Sequence, residues 1–310
     1  MTGAAGDQLG FRQRLARRVR ETADAVFAQS DDGQPRLTHV KGSLMSSLPD
    51  MTNASSPALR LLILGGTADA NRLAAAVARE PLIDAVLSYA GRTENPRPPP
   101  IASRIGGFGG VTGLVNYLRE HSIDRVVDAT HPFAAQMSAH AVEACALAGV
   151  PLLALERAPW ERQGGDRWID VDDIDAAVAS LAGAPRRVFL GIGRQNLAVF
   201  AAQPQHAYLV RLVDPPRETL PLPNVEIVVA RGPFDRAGDL ALLKRFGADL
   251  VVAKNAGGDA AVAKIEAARD LGLPVVMIRR PFVPERPVVD SVDQVMRWLA
   301  HDAAPTERGV

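Results

Sequence analysis

Cysteine is almost missing from this chain. One residue, Cys145, stands among 310, so no internal disulfide can form, and no Cys or His cluster has the spacing of a zinc site. Cys145 sits in a helical pattern, A-V-E-A-C-A-L-A, and reads as a small core or helix residue rather than a catalytic thiol. Aromatics are scarce at 5%, so any core must be built mainly from Ala, Val, Leu and Ile. Net charge is absent: 35 basic residues face 35 acidic ones. Overall charge therefore gives no support to a nucleic-acid partner, while a local basic cleft stays open. No apolar run reaches the roughly 18 residues of a membrane span. The N-terminus has no apolar secretion signal either, so a cytoplasmic protein is expected. The rest is ordinary. Hydrophobic residues make up 47% and charged residues 23%, and the length suggests about two domains.

Residues 1–57 stand apart. A short basic amphipathic stretch with Phe11, Leu15, Val19 and Val26 is followed by a Ser-, Asp-, Gly-, Gln- and Pro-rich segment without period. This reads as a flexible extension, or as sequence ahead of a true start at Met45 or Met51; a targeting or partner-binding arm is the other reading. Residues 303–310 read as a tail.

From Leu59 the pattern changes. Short apolar runs at 59–64, 84–90, 124–129, 150–155, 187–192, 207–213, 225–230, 249–254 and 274–279 alternate with helical stretches. The helices are expected over 68–79, 112–121, 133–148, 235–246, 260–271 and 292–301. Strands that are apolar throughout are covered on both faces, as in parallel sheets flanked by helices. The fold class is therefore α/β: two Rossmann-like, doubly wound parallel-sheet domains, 58–183 and 184–302, dividing near Gly183-Ala-Pro-Arg186. Both halves open with a strand, a glycine turn and a helix, L-I-L-G-G-T and F-L-G-I-G-R.

Ligands of open α/β sheets sit at the carboxyl ends of the strands. Gly65-Gly66-Thr67 ends the first strand and opens a helix, where glycine lets backbone approach a diphosphate and free N–H groups receive it. A tight turn capped by Thr67 explains the same residues. At the end of the second strand, Arg92 lies 26 residues after Gly66, beside Thr93. An Arg there accommodates the 2′-phosphate of NADP; a solvated surface Arg is the alternative. R-I-G-G-F-G-G, 104–110, reads as a ligand loop. In T-H-P-F, 130–133, Thr130 and Pro132 suit a helix start. His131 and Phe133 suit a ligand: an imidazole to bond or donate a proton, a ring to stack. Arg194, Arg211, Arg231 and Lys254 follow four strands of the second half and together suggest a positive cleft for several carboxylates or phosphates.

These runs carry a resemblance. From Leu59 to about Leu299 the chain resembles the precorrin-6A reductases of cobalamin biosynthesis, through L-I-L-G-G-T, S-x-A-G-R-T, R-I-G-G-F-G-G, D-A-T-H-P-F-A, L-x-R-A-P-W, G-I-G-R-Q, V-R-L-V-D-P-P, A-R-G-P-F and A-K-N-A-G-G. It departs at Asp69, where the family pattern has Glu, and at Ala256, where it has Ser. The resemblance implies NADPH-dependent reduction of a ring double bond in a tetrapyrrole, precorrin-6A to precorrin-6B, between two Rossmann-like domains. It implies cofactor contacts from Gly65, Gly66, Thr67, Arg92, Thr93 and Thr130. It implies macrocycle contacts from Phe133, Gly191, Gly193, Arg194, Arg211, Arg231, Lys254, Asn255, Gly257 and Gly258. His131 is the candidate proton donor or positioning residue. No protein metal is implied, because the cobalt of the anaerobic route would belong to the substrate. A cobalt-bearing substrate and a non-catalytic NADP-sensing module are the competing readings. A short-chain-type reductase is excluded by the missing Y-x-x-x-K. The expected partners are the tetrapyrrole and neighbouring enzymes of the pathway, with no nucleic acid and no membrane.

Overall fold

The computed structural model describes residues 58–90 and 98–301. The extension 1–57, the tail 303–310 and the segment 91–97, with Arg92 and Thr93, lie outside the described residues. The chain alternates β1 (Leu59–Leu64), α1 (Ala68–Val77), β2 (Ile83–Tyr89), β3 (Ala102–Ile105), α2 (Gly110–Glu120), β4 (Arg125–Asp128), α3 (Ala135–Ala148) and β5 (Leu152–Leu155). After a crossover come β6 (Arg167–Val171), α4 (Ile174–Ala179), β7 (Arg187–Gly191), β8 (Ala207–Leu212), β9 (Val225–Val229) and α5 (Arg236–Phe246). Then follow β10 (Leu250–Lys254), α6 (Ala263–Asp270), β11 (Pro274–Ile278), β12 (Val288–Val289) and α7 (Val292–His301).

These strands form two six-stranded sheets, β12-β5-β4-β1-β2-β3 and β6-β11-β10-β7-β8-β9. Every pairing is parallel, so the α/β, doubly wound expectation holds. The continuous apolar runs explain it. In β1, Leu61 and Ile63 pack with Leu73, Val77, Val295 and Leu299 on one face. Leu62 and Leu64 pack with Leu114, Leu118 and Ala141 on the other. Each such leucine, fully buried, contributes about 2 kcal/mol. The second sheet is covered in the same way, by Leu181 and Phe200 on one side and Leu243, Phe246 and Ile265 on the other.

Sequence order and sheet membership part at two places, which corrects the division expected near Gly183. Strand β6 and helix α4 precede Gly183, yet β6 pairs with β11 of the second sheet. Strand β12 and helix α7 come last among the described elements, yet β12 pairs with β5 of the first sheet. The two βα units are thus exchanged, carried across by residues 156–166 and 279–287. Among the described residues twelve strands appear where about nine runs were visible. The three missed, β3, β6 and β12, are the outermost strands of their sheets or pair on a single edge; half-exposed edges need no continuous apolar run.

Two local expectations change. After β7 no α-helix follows the glycine turn, only 3-10 turns at Arg194–Asn196 and Ala198–Ala202. Helix α3 starts at Ala135 with no side-chain cap, so Thr130 does not cap it. Its hydroxyl instead donates to Asp128 Oδ1 at 2.7 Å.

Candidate active site

The strand tips of both sheets build the candidate site. At the end of β1, Gly66 has φ +115°, and a Cβ there would meet nothing within 4 Å. The turn is left-handed and open, a shape that suits close approach of a ligand's phosphate. Thr67 then caps α1: its hydroxyl oxygen accepts from Ala70 N at 3.1 Å and donates to Ala129 O at 2.8 Å. One side chain therefore fixes the helix start and ties it to the tip of β4. Next to this edge, Arg104 donates to Ser88 Oγ, Gly106 O and Gly107 O and lies 4.0 Å over the Phe108 ring. It holds the glycine-rich loop 104–110 against β2.

The tip of β4 docks into the other half. Phe133 packs against the core of the second sheet, with Lys254 Nζ 5.2 Å from its ring centre. Lys254 Nζ also donates to Asn196 Oδ1 at 2.7 Å. His131 lies beside Phe133, with ring centres 5.8 Å apart, and its Nδ1 accepts from Phe133 N at 3.1 Å. Burial, with Arg157, Lys254, Arg280 and Lys264 nearby, pushes His131 down to about 3. Its imidazole is neutral at ordinary pH.

The two crossovers are clamped together under these tips. Glu156 accepts from Arg280 at 2.7 Å and from Arg286 at 2.6 Å. Arg157 bonds Asp69 Oδ2 at 2.8 Å and Ala256 O at 2.9 Å. Arg280 also donates to Arg157 O and to the carbonyls of Asn255 and Ala256. Asp69 in the first turn of α1 is thus linked through Arg157 to the tip of β10. Trp160 N donates to Asn255 Oδ1 at 2.7 Å and accepts Asn255 Nδ2 on its carbonyl at 2.9 Å. Its indole N–H donates to Gly258 O at 2.8 Å.

This rearranges the expected macrocycle contacts. Asn255 has its amide engaged by Trp160. A Cβ on Gly257 would lie 2.0 Å from Ala158 O, and one on Gly258 would lie 2.4 Å from Arg157 Cδ. These two glycines make room for the first crossover. Gly191 makes room for Lys264, whose Cδ would be 2.9 Å from a Cβ there, whereas Gly193 is open. Arg211 is buried in a pair with Asp239 and stacked on Phe234, 3.6 Å from the ring centre; its charge is directed inward. Arg231 is exposed and pairs with Asp214 at 2.8 Å. Arg194 is exposed. Cations gather around His131 at the junction, namely Arg157, Lys254, Arg280 and Lys264, and of the four cations expected from the sequence only Lys254 is among them.

Sequence reading assigned no site role to Glu156, Arg157, Trp160, Lys264, Arg280 or Arg286, although L-x-R-A-P-W holds Arg157 and Trp160. For all but Lys264 the signal lay in two Pro-containing charged stretches, E-R-A-P-W and R-R-P-F-V-P-E-R-P, directly after two core strands. Lys264 is buried, and desolvation with Arg211 and Arg157 nearby holds it down to about 7. Cys145 is buried and pushed up to about 12, an inert thiol. Among the described residues no group of His, Cys, Asp and Glu is placed to hold a metal, and no helix is long and apolar enough to cross a membrane.

Known proteins share this architecture. The family described as precorrin-6x reductase CbiJ/CobK matches residues 60–300. A precorrin-6A reductase of Rhodobacter capsulatus is 58% identical over 251 residues, 81% of this chain and 99% of that one. One from Sinorhizobium is 45% identical, covering 84% of this chain and all of that one. A cobalt-precorrin-6A reductase of Priestia megaterium is 30% identical over 78% of this chain and 98% of that one. A solved structure, "CobK precorrin-6A reductase", superposes with TM-score 0.75 at 58% identity, covering 81% of this chain and 99% of the other. Matched across nearly the whole length of its relatives and in both sheets, the chain belongs to the precorrin-6x reductase family.

Proposed function

We propose that this protein reduces a ring double bond of precorrin-6A to precorrin-6B in cobalamin biosynthesis, with NADPH as reductant and cytoplasmic site of action. The observation that carries the reading is 58% identity across virtually all of a precorrin-6A reductase. Relatives named for the cobalt-bearing substrate reach 30%, which favours the metal-free one.

The first half fits a dinucleotide. Gly66 leaves backbone room, Gly65 lets the turn pack against Leu87 of β2, Thr67 holds the helix start, and the first turn of α1 would offer free N–H groups to a diphosphate. Thr130 stands at the adjacent tip. Arg92 and Thr93 complete this reading as the 2′-phosphate contacts. Bound there, the nicotinamide supplies a hydride. The chain's own residues orient and exclude water. Phe133 closes the junction, Lys254 holds a carboxylate arm, and Gly193, Arg194 and Arg231 form the outer contacts of the macrocycle. Arg211, Asn255, Gly191, Gly257 and Gly258 act behind that surface, shaping it. The ring carbon next to the reduced one takes a proton, and neutral His131 does not store it.

The test is NADPH oxidation by purified protein with precorrin-6A, run in parallel with NADH and with the cobalt-bearing substrate. Turnover with NADPH and precorrin-6A is expected. Nucleotide binding without turnover on either substrate would instead favour the sensing module.

A further inference from the structure

His131 stands where β4 meets the second half, and its surroundings restrict what it can do. We propose that His131 and Lys254 form a socket for one carboxylate arm of the tetrapyrrole, in which His131 is a neutral hydrogen-bond donor through Nε2 rather than the acid of the reaction. This rests on the tetrapyrrole reading above and assigns a role within it.

Three observations carry it. Phe133 N donates to His131 Nδ1, so the neutral ring keeps its one proton on Nε2. A second proton would set Nδ1–H against the Phe133 N–H. No partner meets Nε2 among the described residues, and that atom is not sealed in the core. His131 and Lys254 flank the same aromatic ring, at 5.8 and 5.2 Å from its centre.

The groups acting on the imidazole come from every element around it and are all cationic: Arg157 of the first crossover, Arg280 of the second, Lys254 at the tip of β10 and Lys264 of α6. Among the described residues, Asp69 is turned to Arg157, Glu156 to Arg280 and Arg286, and Asp128 toward Arg286 at 3.9 Å. The field therefore calls for an anion and resists an imidazolium. A neutral imidazole surrenders its remaining proton only to a very strong base, so it serves as donor and not as acid.

The experiment is steady-state turnover of precorrin-6A with NADPH by the wild type, His131→Gln, His131→Leu and Lys254→Met. Nucleotide affinity and circular dichroism serve as folding controls. Gln sets an amide N–H near the position of Nε2, so its KM for precorrin-6A stays within about threefold of wild type. His131→Leu raises that KM about tenfold or more, the range of a hydrogen bond to a charged group, and raises it far more than it lowers kcat. Lys254→Met also raises KM, and the double variant raises it by less than the product of the two. A fall of about a hundredfold in kcat for both His131 variants at unchanged KM would make His131 the acid and overturn the proposal. Unchanged KM in His131→Leu and Lys254→Met would remove the socket. Should His131→Leu not fold, His131→Gln and Lys254→Met decide alone. A wild type inert toward precorrin-6A would overturn the functional reading, and the socket with it.

Discussion

Each sheet grows from a central strand, β1 or β7, and each leaves that strand through glycine. After β1 the chain enters α1, capped by Thr67; after β7 it makes only 3-10 turns with no side-chain cap. The remaining elements correspond in order: β2 with β8, β3 with β9, α2 with α5, β4 with β10, α3 with α6 and β5 with β11. The difference is one of helix-end chemistry, and it underlies the dinucleotide contact proposed for the first half. A capped α-helix aligns its peptide dipoles and free N–H groups at one end, and a short 3-10 turn does so poorly. The tips of β4 and β10 diverge as well. The first presents His131 and Phe133 outward to the junction, and the second uses Asn255, Gly257 and Gly258 to grip the crossover.

The largest way to break the comparison is to uncouple the halves. Glu156→Gln leaves Arg280 and Arg286 without their shared carboxylate in a mostly buried setting. Loss of about 4 kcal/mol is expected in urea unfolding, with faster proteolysis of residues 279–287. A loss under about 1 kcal/mol would mean that the clamp does not join the sheets.

Glycines separate the halves next. Gly257→Ala puts a Cβ 2.0 Å from Ala158 O at φ +69°, and a cost of about 3 kcal/mol follows. Gly66→Ala meets no atom, and backbone strain at φ +115° costs about 1–2 kcal/mol, while KM for NADPH rises several-fold. Equal stability losses would erase the distinction between a packing glycine and a ligand glycine.

A smaller effect comes from pH. Lys264 is held down to about 7 in the folded protein against an ordinary 10.5. Between those values the unfolded chain binds the extra proton, so this residue's effect makes stability rise as pH climbs from 7 toward 10.5. Lys264→Met should flatten that rise in parallel unfolding curves; an unchanged slope would refute it. The smallest expected loss is Thr67→Ala, about 1 kcal/mol for the cap, with weaker nucleotide binding by titration.

The α/β class and most core strands were legible because strands buried on both faces must be apolar throughout, as L-R-L-L-I-L and D-L-V-V-A-K nearly are. The glycine turn and its cap were legible because Thr67 bonds Ala70, three residues away. The pairing of Arg211 was not legible, since Asp239 lies 28 residues along the chain. That of Asn255 was hidden likewise, its partner Trp160 being 95 residues away.

Local chemistry thus reached as far as periodicity and one helical turn. By itself the sequence determined the alternation of buried strands and helices, the glycine-and-threonine turn after β1, and an inert lone thiol. Tertiary structure alone decided which sheet received β6 and β12, which arginines were already neutralised, and how burial, with four cations nearby, holds His131 without charge. Those outcomes depend on which distant groups meet once water is excluded, and burial and Coulomb forces act on distance in space, not on separation along the chain.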